Sequence, residues 1–145
     1  VRDPDGVEGD QGEAPGLGLL DIETILGGDK QLANVCARHE TTDTMLTGYE
    51  IHIGTTRGTD CGRPFLQIET PSNARPEGAV SRDGLVEGCY LHGLFSTDEF
   101  RRAYLDQFGV KSSTAYDTTV EATLDALAEH LEAHLDIDAL LAAAG

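Results

Sequence analysis

The chain has 145 residues, with 26 Asp and Glu against 10 Lys and Arg and a formal net charge of −16. Such an excess repels phosphate backbones and anionic lipid, which argues against nucleic acid and membrane surfaces as partners. The length suffices for one domain with a buried core, and three cysteines without a Cys-x-x-Cys argue against a disulfide framework or a structural zinc site.

No signal-peptide pattern or membrane-length apolar run is visible, so a reducing cytoplasm is the expected setting. The acidic residues are spread along the chain rather than gathered in a tail. That distribution is expected of a protein from a salt-rich cytoplasm; an ordinary acidic enzyme is the plainer reading.

Residues 1–15 are rich in Gly, Pro and acids and read as a surface loop. Residues 16–26 are apolar and read as a strand ending in a turn at Gly27-Gly28. Residues 31–39 and 45–56 read as strands joined by a polar turn at 41–44. A loop at 57–63, a strand at 64–70 and a loop at 71–78 follow. Residues 79–82 and 85–91 read as a hairpin about Asp83-Gly84.

A helix is predicted over 97–108, opened by a Ser96/Glu99 capping box and stopped at Gly109. A second is predicted over 119–143, with a Thr118/Glu121 box and an apolar stripe of Val120, Leu124, Leu127, Leu131 and Leu135. Consecutive strands with short turns imply mixed or antiparallel pairing.

Two segments carry the functional signal. In Tyr90-Leu91-His92-Gly93-Leu94-Phe95 a histidine stands where an apolar strand ends and a helix is about to begin. Strand ends hold a side chain rigidly while leaving it open to a cleft, and a neutral imidazole there can accept a proton. The second is Gly48-Tyr49-Glu50-Ile51-His52-Ile53-Gly54. Other candidates read more simply. His130 and His134 have zinc-ligand spacing but no His-Glu-x-x-His pattern, so a solvated helix face explains them, and no metal site is expected. Gly16-x-Gly18 lacks the third glycine of a dinucleotide fingerprint.

Together the two segments resemble the C-terminal half of the glutamine amidotransferase domain of the cobyric acid synthase family, in the cobalamin branch of the class I amidotransferases. Asp3-Pro4-Asp5-Gly6-Val7-Glu8-Gly9 resembles that family's loop after the nucleophile region. Gly16-Leu17-Gly18-Leu19-Leu20-Asp21-Ile22-Glu23-Thr24 resembles a further family stretch, and Lys30 falls where the family keeps a lysine. The resemblance runs to about Gly109. It implies a three-layer, flavodoxin- or Rossmann-like α/β domain. Residues 1–145 would be its C-terminal portion, with mixed or antiparallel strands and two terminal helices.

The resemblance implies the chemistry as well. A cysteine in a Gly-x-Cys-Gly-Gly turn attacks the glutamine amide, and His92 is the catalytic acid-base group. None of Cys36, Cys61 or Cys89 has the flanking glycines, so the nucleophile is expected upstream, and this portion alone is expected to be inactive. An ATP- and Mg²⁺-dependent synthetase domain, acting on a corrinoid, is expected upstream as well; no cofactor is expected in this portion. The implied partners are glutamine, the nucleophile-bearing half-domain and, through the synthetase, the corrinoid.

Ordinary class I enzymes keep an orienting glutamate two residues after the histidine; here that position is Leu94. Glu50 is the side-chain candidate for orienting His92, unless its strand turns it to solvent; a backbone carbonyl or packing are the alternatives. His52 either lines the glutamine pocket or ammonia exit or caps its strand. Tyr49 reads as a packing aromatic with a bonded hydroxyl or as a pocket residue, and Cys89 as buried and inert. A cobyrinate diamide synthase, a cell-wall amidating amidotransferase and a non-catalytic partner-binding half-domain are the competing readings.

Overall fold

Alternating apolar and polar residues, followed by a turn rich in threonine, fold residues 31–52 into a long antiparallel hairpin. In the computed structural model its strands are β4 (Gln31–His39) and β5 (Met45–His52), in register from Gln31↔His52 to Arg38↔Met45. Asp43 takes a left-handed conformation (φ 53°) at the tip, where the His39 N–H donates to the Thr44 carbonyl. The structure describes residues 1–144, which form two units, Val1–Lys111 and the segment from Ser112 onward.

Within the first unit the hairpin is the centre of a five-stranded antiparallel sheet. The short strand β11 (Leu91–His92) adds to β5, and β7 (Leu66–Ile68) followed by β8 (Arg75–Glu77) add to β4. A four-stranded mixed sheet joins β1 (Arg2–Asp3), β2 (Gly12–Glu13), β3 (Glu23–Ile25) and β6 (Thr55–Arg57), with β1 parallel to β3. β9 (Ala79–Val80) and β10 (Glu87–Gly88) form a separate hairpin that turns through Asp83-Gly84, as expected.

Side-chain alternation splits the five-stranded sheet into two unlike faces. One carries Ala37, Leu46, Leu66, Ile68 and Leu91, which pack with Phe65 and with Phe100 of helix α1 (Asp98–Asp106) into the core. The other carries Leu32, Cys36, Met45, Tyr49 and His92, all exposed, with Leu32 at 71%. Asn34, Arg38 and Thr47 share this second face, which is exposed and mixed in character.

Several predicted elements are corrected. The strand expected over 16–26 is confined to Glu23–Ile25, and Leu17 and Leu19 lie exposed. The single strand expected over 45–56 breaks at Gly54, whose φ of +97° brings it against the Ile25 carbonyl. The loops at 1–15 and 71–78 contain β1, β2 and β8. Proline at Pro76 masks β8, which is tolerable because β8 is the sheet edge. The strand expected over 85–91 is two short pieces, β10 and β11.

The Ser96/Glu99 box does not form. A 3₁₀ turn at Leu94–Ser96 intervenes, Ser96 Oγ donates to the Gly93 carbonyl, and Thr97 is the N-cap of α1. Gly109 (φ 72°) ends the helix as expected, its N–H donating to the Asp106 carbonyl. The second unit holds two helices in place of the single one expected: α2 (Tyr116–His134) and α3 (Ile137–Ala144). Asp136 separates them, its carboxylate accepting the Ala139 N–H as an N-cap does. Among the described residues there are thus three α-helices. The mixed α/β make-up and the mixed and antiparallel pairing agree with the class I amidotransferase-like fold.

Candidate active site

His92 is the last residue of β11 and lies opposite Tyr49 of β5. Two glycines fix this corner. Gly48, next to Tyr49, has no room for a side chain: a Cβ there would overlap the His92 carbonyl oxygen and lie 3.0 Å from Leu91 Cγ. Gly93 takes φ +76°, a left-handed conformation that lets the chain leave the strand immediately after the histidine.

The imidazole is exposed on the open sheet face. Its Nδ1 lies 3.0 Å from the Tyr90 carbonyl oxygen. A carbonyl only accepts, so Nδ1 carries the proton, and Nε2 of the neutral ring is left as the free acceptor. The ring stacks on Tyr49, with centroids 5.2 Å apart and planes 16° from parallel. Cross-strand aromatic pairs of this kind contribute about 0.2–1 kcal/mol.

Glu50 does not orient His92, and neither does it point to solvent. It pairs with Leu91, so its side chain is on the core face while His92 is on the other. It is 4% exposed and forms an ion pair with Arg75 of β8, which also approaches Glu77 at 3.9 Å. Its Oε1 is buried without a hydrogen-bond partner. Pairing with Arg75, rather than contact with the histidine, accounts for its buried carboxylate.

His52 shares the core face with Glu50 and packs against the Tyr90 ring at 4.7 Å. His52 and Tyr90 line a cavity of about 580 Å³, together with Leu20, Ile22, Arg75 and Glu77. His92 is not among its lining residues. The cavity and the exposed imidazole are thus distinct features, joined through Tyr90. The Tyr90 hydroxyl is tied to Thr56 Oγ1 at 2.6 Å and to Thr24 Oγ1 at 3.1 Å, and its N–H donates to Glu77 at 2.7 Å. The residue whose carbonyl holds His92 is therefore fixed by its side chain to the second sheet.

Sequence reasoning missed Gly48, Arg75 and Tyr90. Arg75 lay in an apparent loop, and Tyr90 acts through its backbone, which no residue type advertises. Gly48 carried a signal: a glycine inside a strand pattern marks close backbone approach.

Two of the three thiols, Cys61 and Cys89, are half-buried, and Cys36 is exposed. Burial pushes the Cys89 thiol up from its ordinary range, and its Sγ lies 3.7 Å from the Leu91 carbonyl oxygen. Burial also raises Cys61. Cys36 is exposed on the His92 face but pairs with Thr47, two strands and two residues away from His92. At ~4.8 Å per strand and ~3.4 Å per residue that is on the order of 12 Å, beyond direct contact.

Other groups are set by local bonds. Asp3 accepts the Glu8 and Val7 N–H groups, which hold its carboxyl below the usual range. Burial and a bond to Glu87 push Tyr104 up to about 12. His130 and His134 stack at 4.2 Å, and the His134 Nδ1–H donates to the His130 carbonyl. Among the described residues no group of three or more His, Cys, Asp or Glu is arranged to hold a metal, and no helix is long and apolar enough to cross a membrane.

Residues 1–100 match the family model described as the CobB/CobQ-like glutamine amidotransferase domain. The chain belongs to that family. It is 58% identical to a cobyric acid synthase of a Jannaschia species over 97% of its own length and 28% of the relative's. The corresponding figures are 56%, 99% and 29% for cobyric acid synthase of Cereibacter sphaeroides, and 49%, 99% and 29% for that of Bradyrhizobium diazoefficiens. The chain therefore spans under a third of the length of these relatives. No solved structure matches it. The family match covers the whole five-stranded sheet and the His92 corner, so the amidotransferase expectation and the site geometry concern the same residues.

Proposed function

We propose that this chain is the histidine-bearing part of the glutamine amidotransferase domain of a cobyric acid synthase. The observation that carries the reading is His92: an imidazole bonded through Nδ1 to the Tyr90 carbonyl and stacked on Tyr49, with Nε2 free, on an exposed sheet face. A nucleophile-bearing half-domain supplied by sequence outside these residues would cover Leu32, Met45 and Tyr49 and bring its thiol to Nε2.

In that assembly Nε2 takes the thiol proton. The thiolate adds to the glutamine carboxamide, and the tetrahedral intermediate is stabilised by backbone amides of the other half. Its collapse breaks the C–N bond, with Nε2–H giving the proton to departing ammonia. The resulting glutamyl thioester is hydrolysed by water that His92 deprotonates, releasing glutamate and restoring the thiol. Glutamine and water thus yield glutamate and ammonia. General acid-base help of this kind is worth about 10²–10⁴ in rate.

The ammonia would pass to a synthetase domain, where ATP and Mg²⁺ activate carboxylates of adenosylcobyrinic acid a,c-diamide for four amidations. A cytoplasmic setting and an acidic surface adapted to salt accompany this reading. The three relatives described above, each a cobyric acid synthase, support it over the diamide synthase and cell-wall alternatives.

The test uses the full-length protein. His92→Ala should abolish glutamine-driven amidation and glutamate release while sparing amidation driven by ammonium salts. A variant that hydrolyses glutamine at the parent rate removes His92 from the mechanism.

A further inference from the structure

We propose that Tyr49 is a positioning residue for His92, standing with the Tyr90 carbonyl in place of an orienting carboxylate. The inference rests on the amidotransferase reading and adds the group that holds the base in place. The two obvious sources of a carboxylate are closed. Leu94, two residues after the histidine, packs against the core. Glu50 is on the opposite sheet face and engaged by Arg75.

What touches the imidazole is a carbonyl and a ring. The bond from Nδ1–H to the Tyr90 oxygen sets which nitrogen is free. One hydrogen bond leaves the plane of the ring able to swing about it. The Tyr49 face, 16° from parallel, removes that freedom.

Tyr49 is well placed to act as a reference surface. It lies on the strand between β4 and β11, directly between Asn34 and His92. Its neighbour Gly48 allows β11 to close against it, and the Gly93 turn passes beside its ring, where a Cβ would be 3.9 Å from Tyr49 Cε1. The π face also attracts the imidazolium formed while Nε2 holds a proton, part of the service a carboxylate would give. The ring, not the hydroxyl, does this.

The experiment compares Tyr49→Phe with Tyr49→Leu and Tyr49→Met in the full-length protein, measuring kcat and KM for glutamine. Ammonium-driven amidation and thermal unfolding report the fold. A base misplaced by ~1 Å costs about 10²-fold. The aliphatic variants should therefore lose about 10- to 100-fold in kcat with KM changed less than about 3-fold, and Tyr49→Phe should restore the rate to within about 3-fold of the parent. Aliphatic variants at full kcat, with His92→Ala inactive, would overturn the positioning role and leave His92 as the base. Equal losses in Phe and the aliphatic variants, or losses confined to KM or tracking a lowered melting temperature, also overturn it. Full activity in His92→Ala would instead overturn the underlying amidotransferase reading.

Discussion

Gly48→Ala tests how tightly the site depends on the approach of β11 to β5. The added methyl would overlap the His92 carbonyl oxygen and crowd Leu91 Cγ at 3.0 Å. Carbon-to-oxygen contacts settle at ~3.3 Å or more, so the two strands must part by roughly 1 Å. Overpacking of this kind costs about 1–3 kcal/mol. Because the oxygen belongs to His92 itself, the displacement is passed to the imidazole, and a shift of ~1 Å in a catalytic group costs about 10²-fold. Urea unfolding of the 1–145 chain should show the stability loss. Glutamine hydrolysis by the full-length protein should show kcat reduced about 100-fold, with ammonium-driven amidation preserved. Gly12→Ala, at an exposed strand position with nothing nearer than 3.9 Å, is the control and should change neither. If Gly48→Ala keeps both parent stability and parent rate, the close approach does not hold the histidine.

Arg75→Ala should destabilise the chain by about 3 kcal/mol, the lower end for a broken buried pair because the arginine side chain is 45% exposed, and Glu50→Leu/Arg75→Leu should recover most of it in urea unfolding. His39 is 1% exposed among Phe65, Phe100 and Tyr104, and burial lowers its pKa, opposed by Glu87 and Glu40. Its folded pKa lies below the unfolded value of about 6.5, so its contribution is whole above pH ~6.5 and is lost as pH falls toward the folded pKa. His39→Phe loses the bonds to Thr42 at neutral pH. Its stability deficit against the parent, followed by urea unfolding, should narrow from pH 7 to pH 5. With a net charge of −16, molar KCl should raise the unfolding midpoint as it screens self-repulsion, and circular dichroism melts that are the same with and without salt would remove the salt-adaptation reading.

The sequence was most informative where pattern and turn chemistry agreed. The 31–39 strand and the 41–44 turn are legible because polar turn residues punctuate a clear alternation, and β4 has the predicted bounds. His92 at a strand end is legible for the same reason. Glu50 is not. Alternation says that it and Tyr49 face opposite ways, but which face is buried depends on α1 packing through Phe100 and on the pairing of Leu91. β8 was hidden because a central strand excludes proline and an edge strand does not. The break before α3 could have been read from Asp136, an N-cap residue three positions before Ala139 and just past the end of the apolar stripe at Leu135. A backbone carbonyl or packing at the imidazole could be named from the sequence as alternatives to a carboxylate, but not the residues that supply them, Tyr90 and Tyr49, because neither contact leaves a motif.

The most direct test concerns the thiol that His92 is proposed to serve. Iodoacetamide labelling of the full-length protein, resolved by peptide and followed from pH 5 to 9, reports thiolate at each cysteine. An unassisted thiol ionises near pH 8.5, whereas one paired with an imidazolium does so far lower. In the parent, one cysteine outside these residues should label rapidly at pH 6, and His92→Gln should shift that cysteine's labelling up toward the ordinary thiol range. Superimposable profiles for parent and variant would contradict the pairing of His92 with a nucleophilic thiol.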